Sequence, residues 1–196
     1  MPAFLLASCS DNRSRAIPPK YSSQAGADAL QAYDTNKDGF INGDELKRVP
    51  GLQASLDQVD TDHDKKISTQ EIDARVKAWQ DSKIAEMPVR CNVTLDGQPL
   101  SDVEVEFDPE SFLGLEVPKA TGKTTQSGIC GITMAKEKLA DPKYAGVACG
   151  WYKIRVTSIS RAIPARYNTE TILGCEVAPN ASWVPEGEIK IELKSQ

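Results

Sequence analysis

The chain has 196 residues, a length that allows one domain or two small ones and excludes a large multidomain enzyme. Its 40% hydrophobic and 26% charged residues exclude wholesale disorder, and the longest apolar run, residues 3–7, is far shorter than the ~20 residues of a membrane-spanning helix. The net charge of −5 comes entirely from residues 28–81, and the lack of clustered Lys and Arg argues against a nucleic-acid partner.

The first nine residues, MPAFLLASC, end in a sequence that resembles the bacterial lipobox, where small residues precede a Cys that is lipidated. Cys9 would be that lipidated residue. The basic and apolar regions of a secretory signal are incomplete here, so two alternatives stay open. Either the true start codon lies upstream, or a short apolar start precedes a chance Cys.

The residues after Cys9 lack apolar periodicity and include Pro18-Pro19, which is typical of a flexible tether and equally of a plain disordered terminus. We predict a truncated signal and tether over residues 1–24. The corresponding localisation is export to the cell envelope, with a membrane contact through the lipid on Cys9.

Residues 34–45 read DTNKDGFINGDE, and residues 60–71 repeat the pattern as DTDHDKKISTQE. In the first copy, loop positions 1, 3, 5, 9 and 12 carry oxygen-bearing side chains, and position 7 offers a backbone carbonyl. Ca²⁺ takes 6–8 oxygen ligands, so alternate residues of a tight loop point inward and a terminal Glu closes the shell. Gly39 at position 6 permits a turn with positive φ. The pattern resembles the EF-hand loop and predicts calcium ligands at Asp34, Asn36, Asp38, Phe40, Asn42 and Glu45.

The second copy has Lys65 where the pattern has Gly. Positive φ costs a non-Gly residue on the order of 1 kcal/mol, whereas four carboxylates strengthen the attraction for a cation. We predict a second, weaker calcium site; the alternative is a degenerate loop retained for pairing. The predicted ligands are Asp60, Asp62, Asp64, Lys66 through its carbonyl, Ser68 and Glu71.

Apolar residues at helical spacing flank both loops and predict an EF-hand pair over residues 25–84. Ile41 and Ile67 hold position 8, where paired loops form a short antiparallel bridge. Pro50-Gly51 should break the chain between the two units. The chain has only 3 Met, so the Met-rich groove of a calcium sensor is not evident and a structural calcium role is favoured.

After Pro88 the apolar spacing changes to period 2, which predicts strands. Residues 89–95 and 103–107 flank Asp96-Gly97 as a strand–turn–strand, and further strands are expected at 128–134, 150–158 and 187–193. The predicted fold class is α+β multidomain, with an all-α EF-hand pair followed by an antiparallel β-sandwich over residues 88–196.

The segments CNVTLDGQPLSDVEVEFDPE and WYKIRVTS resemble the transthyretin-like or carboxypeptidase-regulatory-like β-sandwich, over roughly residues 89–195. The whole chain resembles a family of bacterial envelope proteins without an assigned biochemical role. This resemblance implies an exported calcium-binding protein and no particular activity.

Four cysteines lie in the strand-rich half, a number that permits two disulfides in an exported protein. The preferred pattern is Cys91–Cys130 with Cys149–Cys175, and the alternative is four buried free thiols.

The sequence predicts no enzyme. His63, the only histidine, lies inside the second loop, and the acids of residues 102–108 share one face of a strand, as on a solvated sheet. The β-rich half could bind a protein or glycan through Arg161, Arg166, Tyr167 and Asn168 beside Trp151 and Trp183, although core packing of both Trp is the simpler expectation.

The predicted function is therefore a calcium-binding envelope protein in which the EF-hand pair stabilises or orients a β-sandwich. The alternatives are a calcium-triggered sensor and a dockerin-like adaptor. Glu45 and Glu71 count against the adaptor, because dockerin-like loops usually close with Asp.

Overall fold

The computed structural model describes residues 17–196, and the lipidation candidate Cys9 lies outside the described residues. This part of the chain is an α+β protein in which short helices precede a large, mainly antiparallel sheet. None of its helices combines the length and the apolar character needed to cross a bilayer. The predicted fold class is confirmed at the level of α+β.

The helical segment also contains a two-strand ribbon. Pro50 does not break the chain but begins a helix, because the first helical turn tolerates its fixed φ and missing N–H. The prediction of a purely helical segment is corrected by the ribbon. In chain order the segment contains α1 (Ala25–Tyr33), β1 (Ile41–Asn42), α2 (Gly43–Leu46), α3 (Pro50–Ala54), α4 (Leu56–Val59), β2 (Lys66–Ile67) and α5 (Thr69–Ser82).

The second half forms one sheet with the strand order β10-β3-β7-β6-β5-β8-β9, and β4 pairs with β3. The antiparallel prediction holds except for β10, which runs parallel to β3. The strands are β3 (Val89–Leu95), β4 (Gln98–Pro99), β5 (Glu104–Pro109), β6 (Ala120–Lys123), β7 (Ile129–Met134), β8 (Gly150–Thr157), β9 (Gly174–Val177) and β10 (Ile189–Leu193).

The predicted hairpin after β3 is real but leads to a different strand. Asp96 (φ 51°) and Gly97 (φ 80°) have the left-handed pair of a type I′ turn, which connects β3 to the two-residue β4. Asp102 also has positive φ (60°), in the connection from β4 to β5. β5 therefore lies elsewhere in the sheet, between β6 and β8.

The sheet curls until its two edge strands approach one another. Residues of β9 and β10 line the same cavity, of about 350 Å³, together with residues of α3 and α4. Seven strands laid flat at a spacing of about 4.8 Å would hold these edges roughly 29 Å apart. The helical segment thus lies beside the seam of one strongly curved sheet rather than beside a pair of separate sheets.

A single hydrophobic core runs from the helices into the sheet. The rings of Trp79 on α5 and Trp151 on β8 lie 4.4 Å apart between centroids, and both side chains are buried. The indole N–H of Trp151 donates to Ser55 Oγ at 2.8 Å, between α3 and α4. The helices and the sheet therefore share buried surface.

Residues 17–24 differ from the predicted tether because they pack against the rest of the protein. Tyr21 is buried, its ring lies 5.7 Å from that of Trp79, and its hydroxyl donates to the Cys149 carbonyl at 2.8 Å. The Ser22 N–H donates to the Leu113 carbonyl. A single buried aromatic residue, Tyr21, anchors this stretch to the core.

The four cysteines of the described residues are free and buried, which is the alternative to the preferred disulfides. Cys91 and Cys130 do lie directly opposite one another on β3 and β7. Cys175 is opposite Tyr152, three residues along the chain from Cys149. Cys149 precedes β8 and is not paired with Cys175, so the register does not place these two cysteines opposite one another.

We expect Gly174→Ala to lower the free energy of unfolding by about 1–3 kcal/mol, because overpacking forces backbone shifts. A Cβ at residue 174 would lie 2.2 Å from the Pro50 carbonyl carbon, where α3 packs on β9. Urea unfolding measures the change. Gly131→Ala is the control, since a Cβ there meets nothing within 4 Å. Equal stability of the two variants would contradict this packing.

Candidate metal centre

The two acidic loops lie side by side through their position-8 residues. Ile41 pairs with Ile67 in the antiparallel β1–β2 ribbon, and both side chains are fully buried. The predicted bridge is confirmed. Each loop therefore has its centre fixed by a strand and its ends fixed by helices.

The first loop is ordered by its own carboxylates. Asp34, at position 1, accepts the N–H of Gly39 at 3.0 Å and that of Asp38 at 3.2 Å. Asp38 accepts the N–H of Phe40 at 3.0 Å. Glu45, at position 12, accepts the Thr35 N–H at 2.8 Å, which joins the end of the loop to its beginning.

The second loop repeats these hydrogen bonds at every equivalent position. Asp60 accepts the N–H of Lys65 at 2.8 Å and that of Asp64 at 3.2 Å, and Asp64 accepts the N–H of Lys66 at 2.8 Å. Glu71 accepts the Thr61 N–H at 2.9 Å. The two loops thus follow the same path despite their different position-6 residues.

Lys65 adopts the left-handed conformation predicted for position 6. Its φ is 65°, compared with 87° for Gly39 in the first loop. The second loop therefore accepts an unfavourable backbone conformation, of the order of 1 kcal/mol, to keep the Asp60 hydrogen bond. The left-handed Lys65 is the feature on which the prediction of a weaker second calcium site depends.

The position-12 glutamates also hold the starts of the following helices. Glu71 is the third residue of α5, and its side chain accepts the Ser68 N–H at 2.9 Å while Ser68 Oγ accepts the Glu71 N–H. Glu45 and Asn42 form the same capping box at α2. Reciprocal bonds of this kind satisfy helix N–H groups that otherwise lack partners.

Three of the four acids of the second loop lie close together. Asp60, Asp62 and Glu71 each present an oxygen, and these oxygens lie within 4.8 Å of one another. Desolvation raises the pKa of Glu71, but hydrogen bonds from Ser68 and Thr61 outweigh it and leave the pKa below its ordinary value. Carboxyl oxygens gathered in this way are the hard ligands that Ca²⁺ prefers, so this donor set fits the ion.

The first loop has fewer carboxylates and more amides. The side-chain amides of Asn36 and Asn42 each donate to Asp38 Oδ2 at 3.1 Å. Desolvation raises the pKa of Asp38, yet these two hydrogen bonds and the Phe40 N–H bring it below its ordinary value. Asn36, Asp38, Phe40 and Asn42 are thus joined by hydrogen bonds within the first loop.

The start of the first loop is connected to the sheet through a buried acid. Tyr33 ends α1, directly before Asp34, and its hydroxyl donates to Glu110 Oε2 at 3.3 Å. Lys153 on β8 bonds both groups, at 3.2 Å to Glu110 and 3.1 Å to Tyr33. Burial raises the pKa of Glu110, which Lys153 and Tyr33 only partly offset.

The helix that follows the second loop is connected to the sheet in the same way. On α5, Arg75 Nε and Trp79 Nε1 donate to Glu176 Oε1 at 2.6 and 2.9 Å. Glu176 belongs to β9 and is buried. Arg75 also bonds Asn180 at 2.9 Å. Each loop is thus connected to the sheet through a buried carboxylate, which is Glu110 for the first loop and Glu176 for the second.

Sequence reasoning did not identify Glu110 and Glu176 as important residues. Glu176 lies between Cys175 and Val177 in a short apolar run, and an acid in such a run is a sign of a buried ion pair. Glu110 comes directly after β5 and lies outside the strands that the sequence predicted. Only the fold brings Arg75 and Lys153 to these acids.

Residues 27–50 match the family model of the EF hand. No curated protein and no solved structure matches the chain. Fold and site together define an α+β protein with an EF-hand motif at residues 27–50, a motif that suggests calcium binding. The second loop lies outside the match, so its assignment depends on the geometry above.

Glu106, Asp108 and Arg166, which the sequence analysis considered for chemistry, have protein partners. Arg155 pairs with Glu106 at 3.0 Å and with Asp108, and Lys119 pairs with Asp108 at 3.0 Å. Arg166 donates to the carbonyls of Lys194 and Gln196. These groups form ion pairs on the sheet and secure the end of the chain.

We expect stability to fall as pH rises from the ordinary glutamate pKa of about 4.3 through the raised pKa of Glu110. The folded protein holds the proton of this carboxyl to higher pH than the unfolded chain does, so the stabilisation is complete below the unfolded pKa. Glu110→Gln should remove this slope in urea unfolding across that window. Glu116→Gln, at an exposed acid, is the control, and equal slopes in both variants would contradict the prediction.

Proposed function

We propose that this protein binds two calcium ions, one in each of the loops 34–45 and 60–71. The observation that carries the proposal is the pairing of two loops that share one hydrogen-bond pattern, with three acidic oxygens converging in the second. Carboxylate and carbonyl oxygens are the hard ligands that Ca²⁺ selects. The EF-hand match at residues 27–50 supports the first site independently.

We propose that the second site is the weaker one. Lys65 stays in a left-handed conformation in the folded loop, where the first loop has Gly39. Four carboxylates, at Asp60, Asp62, Asp64 and Glu71, offset part of that cost by attraction for the cation.

Calcium is proposed to act structurally, by fixing the helices that pack on the sheet. The first loop begins where Tyr33 reaches Glu110, and the second is followed by the helix that carries Arg75 and Trp79 to Glu176. A ligand that binds only the folded state adds stability in proportion to ln(1 + [Ca²⁺]/Kd). Extracellular modules typically bind at about 10⁻⁴–10⁻³ M, so ambient calcium would keep such a module closed.

A calcium-triggered sensor is the principal alternative. A sensor opens a helix pair to expose an apolar groove, whereas here the apolar faces of α1 and α5 are already closed against the sheet by Tyr21, Trp79 and Trp151. A dockerin-like adaptor remains the second alternative. α1 enters the first loop as a helix of 9 residues, and its presence supports the EF-hand interpretation.

We further propose that the protein is exported and anchored in the cell envelope through a lipid on Cys9, and that the β-rich half is a transthyretin-like binding or structural module. The lipobox-like residues 6–9 and the strand pattern of residues 89–107 support this proposal. No catalytic role and no nucleic-acid partner are part of it. The pairing of Glu106 and Asp108 with basic residues is consistent with a non-catalytic sheet face.

A protein or glycan ligand of the β-rich half would fit best at the seam between β9 and β10. The cavity there is lined by Trp183 together with the polar side chains of Gln58, Ser182, Glu188 and Lys190. An aromatic wall surrounded by hydrogen-bonding groups is a common arrangement in binding sites. The surface predicted around Arg166 is the alternative location, and there Arg166 donates to the carbonyls of Lys194 and Gln196.

Calorimetric titration of the chelator-stripped protein with Ca²⁺ tests the main proposal. We expect two sites in the high-micromolar to millimolar range, with Glu45→Gln and Glu71→Gln each removing one, because each loses the acid that closes its loop. Asp44→Asn and Asp57→Asn are matched controls, since both acids are exposed and outside the ligand pattern. Failure of the wild type to bind, or equal losses in the controls, would refute the assignment.

The structural role is tested by unfolding and by a dye that binds exposed apolar surface. We expect added Ca²⁺ to raise the melting temperature and to leave ANS fluorescence unchanged, because the apolar faces stay packed. A clear rise in ANS fluorescence on calcium binding would establish the sensor instead.

Lipidation is tested by labelling with palmitate in a bacterial host. We expect the protein, expressed behind a complete lipoprotein signal, to incorporate the label and Cys9→Ser to lose it, because the thiol of Cys9 is the only proposed attachment point. Cys149→Ser, at a buried cysteine, is the control. Label that persists in Cys9→Ser would remove the anchor from the proposal.

A further inference from the structure

Lys66 belongs to the second loop, but its side chain extends over the first. In the ribbon it pairs with Asn42, which is position 9 of the first loop. Its Nζ lies 5.0 Å from the centre of the Phe40 ring, and Phe40 is position 7 of the first loop. An ammonium group is thereby held against the side chain of one proposed ligand residue of the neighbouring site.

The aromatic ring gives this cation a defined place. An ammonium within about 6 Å of a ring centroid is attracted to the face of the ring, even at an exposed position. Lys66 forms no salt bridge with any acidic side chain of the described residues. Within this part of the chain, no close ion pair therefore neutralises its charge. Its charge also acts on Asp38, the position-5 acid of the first loop.

We propose that Lys66 lowers the affinity of the first loop for calcium by holding a positive charge beside it. The inference rests on the proposed calcium binding. Like charges repel, and a divalent cation is repelled twice as strongly as a monovalent one at the same distance. The charge belongs to the second loop but repels a cation in the first. A residue of one loop therefore changes the calcium affinity of the other. Because it weakens the stronger site, Lys66 makes the two affinities more similar than Lys65 alone would.

The repulsion is moderate because solvent reaches both charges. At separations of several ångströms in a water-like dielectric, one ammonium changes the affinity for a divalent cation by about three- to tenfold at low ionic strength. Salt reduces the effect, since the Debye length is about 8 Å at physiological ionic strength. A salt-dependent change is therefore the signature of this mechanism, as opposed to a change in loop structure.

The test is a calcium titration in the Glu71→Gln background, where only the first loop binds. We expect Lys66→Met to raise the affinity about three- to tenfold at low salt and by less at about 0.3 M salt. Lys66→Arg should keep the native affinity, because it keeps the charge. Lys77→Met is the matched control: it removes the same charge from an exposed position on α5, where Lys77 pairs with Asp81.

A second variant tests whether the Phe40 ring, by holding the Lys66 ammonium in place, contributes to the effect. Phe40→Leu keeps the backbone carbonyl and the lysine but removes the ring, so we expect a gain in affinity smaller than that of Lys66→Met. An unchanged affinity in Lys66→Met, or an equal gain in Lys77→Met, would overturn the inference while leaving calcium binding intact. If neither the wild type nor Glu71→Gln binds calcium, the proposed function itself has failed.

Discussion

The contact between Trp79 and Trp151 is the interaction on which the rest of the architecture depends. Each indole is buried against the other half of the protein, and each indole N–H has a partner across the boundary. A helical segment of fewer than sixty residues offers little core of its own. Packing on the sheet supplies the burial that short helices such as α2 and α4 cannot provide.

Two buried carboxylates make that packing specific. Glu176 has one oxygen bonded to Arg75 and Trp79, and its other oxygen has no partner in the described structure; Glu110 is similar, with Lys153 and Tyr33 on one oxygen. Burying such groups opposes folding unless their partners are in place. The register between helices and sheet is fixed because any other arrangement leaves these acids without partners.

The two acidic loops adjoin the helices that make these contacts, since the first follows Tyr33 at the end of α1 and the second leads into α5. A bound ion that orders a loop would therefore also steady a contact with the sheet. For the first loop this contact is made by Tyr33, and for the second by Arg75 and Trp79. This arrangement differs from a sensor, whose apolar face must be free to open. Here that face is already occupied, so a bound ion would strengthen an existing contact.

Local chemistry made the site predictable, because an EF-hand loop is specified by residues close together in sequence. The repeat at positions 34–45 and 60–71, the left-handed Lys65 and the Ile41–Ile67 bridge follow from short-range geometry, and the structure reproduces the last two. Strand alternation likewise located β3, β5, β7, β8 and β10. The short strands β4, β6 and β9, which show little alternation, were not predicted.

Long-range relations were not predictable in the same way. The parallel pairing of β10 with β3, the curl of the sheet and the packing of Tyr21 depend on which surfaces meet. The sequence by itself determined the loops, most of the strands and the α+β class, because hydrogen-bond and burial periodicity act over a few residues. Only the tertiary structure decided that helices and sheet share one core, since Glu110 and Glu176 acquire their partners from residues up to about a hundred positions away.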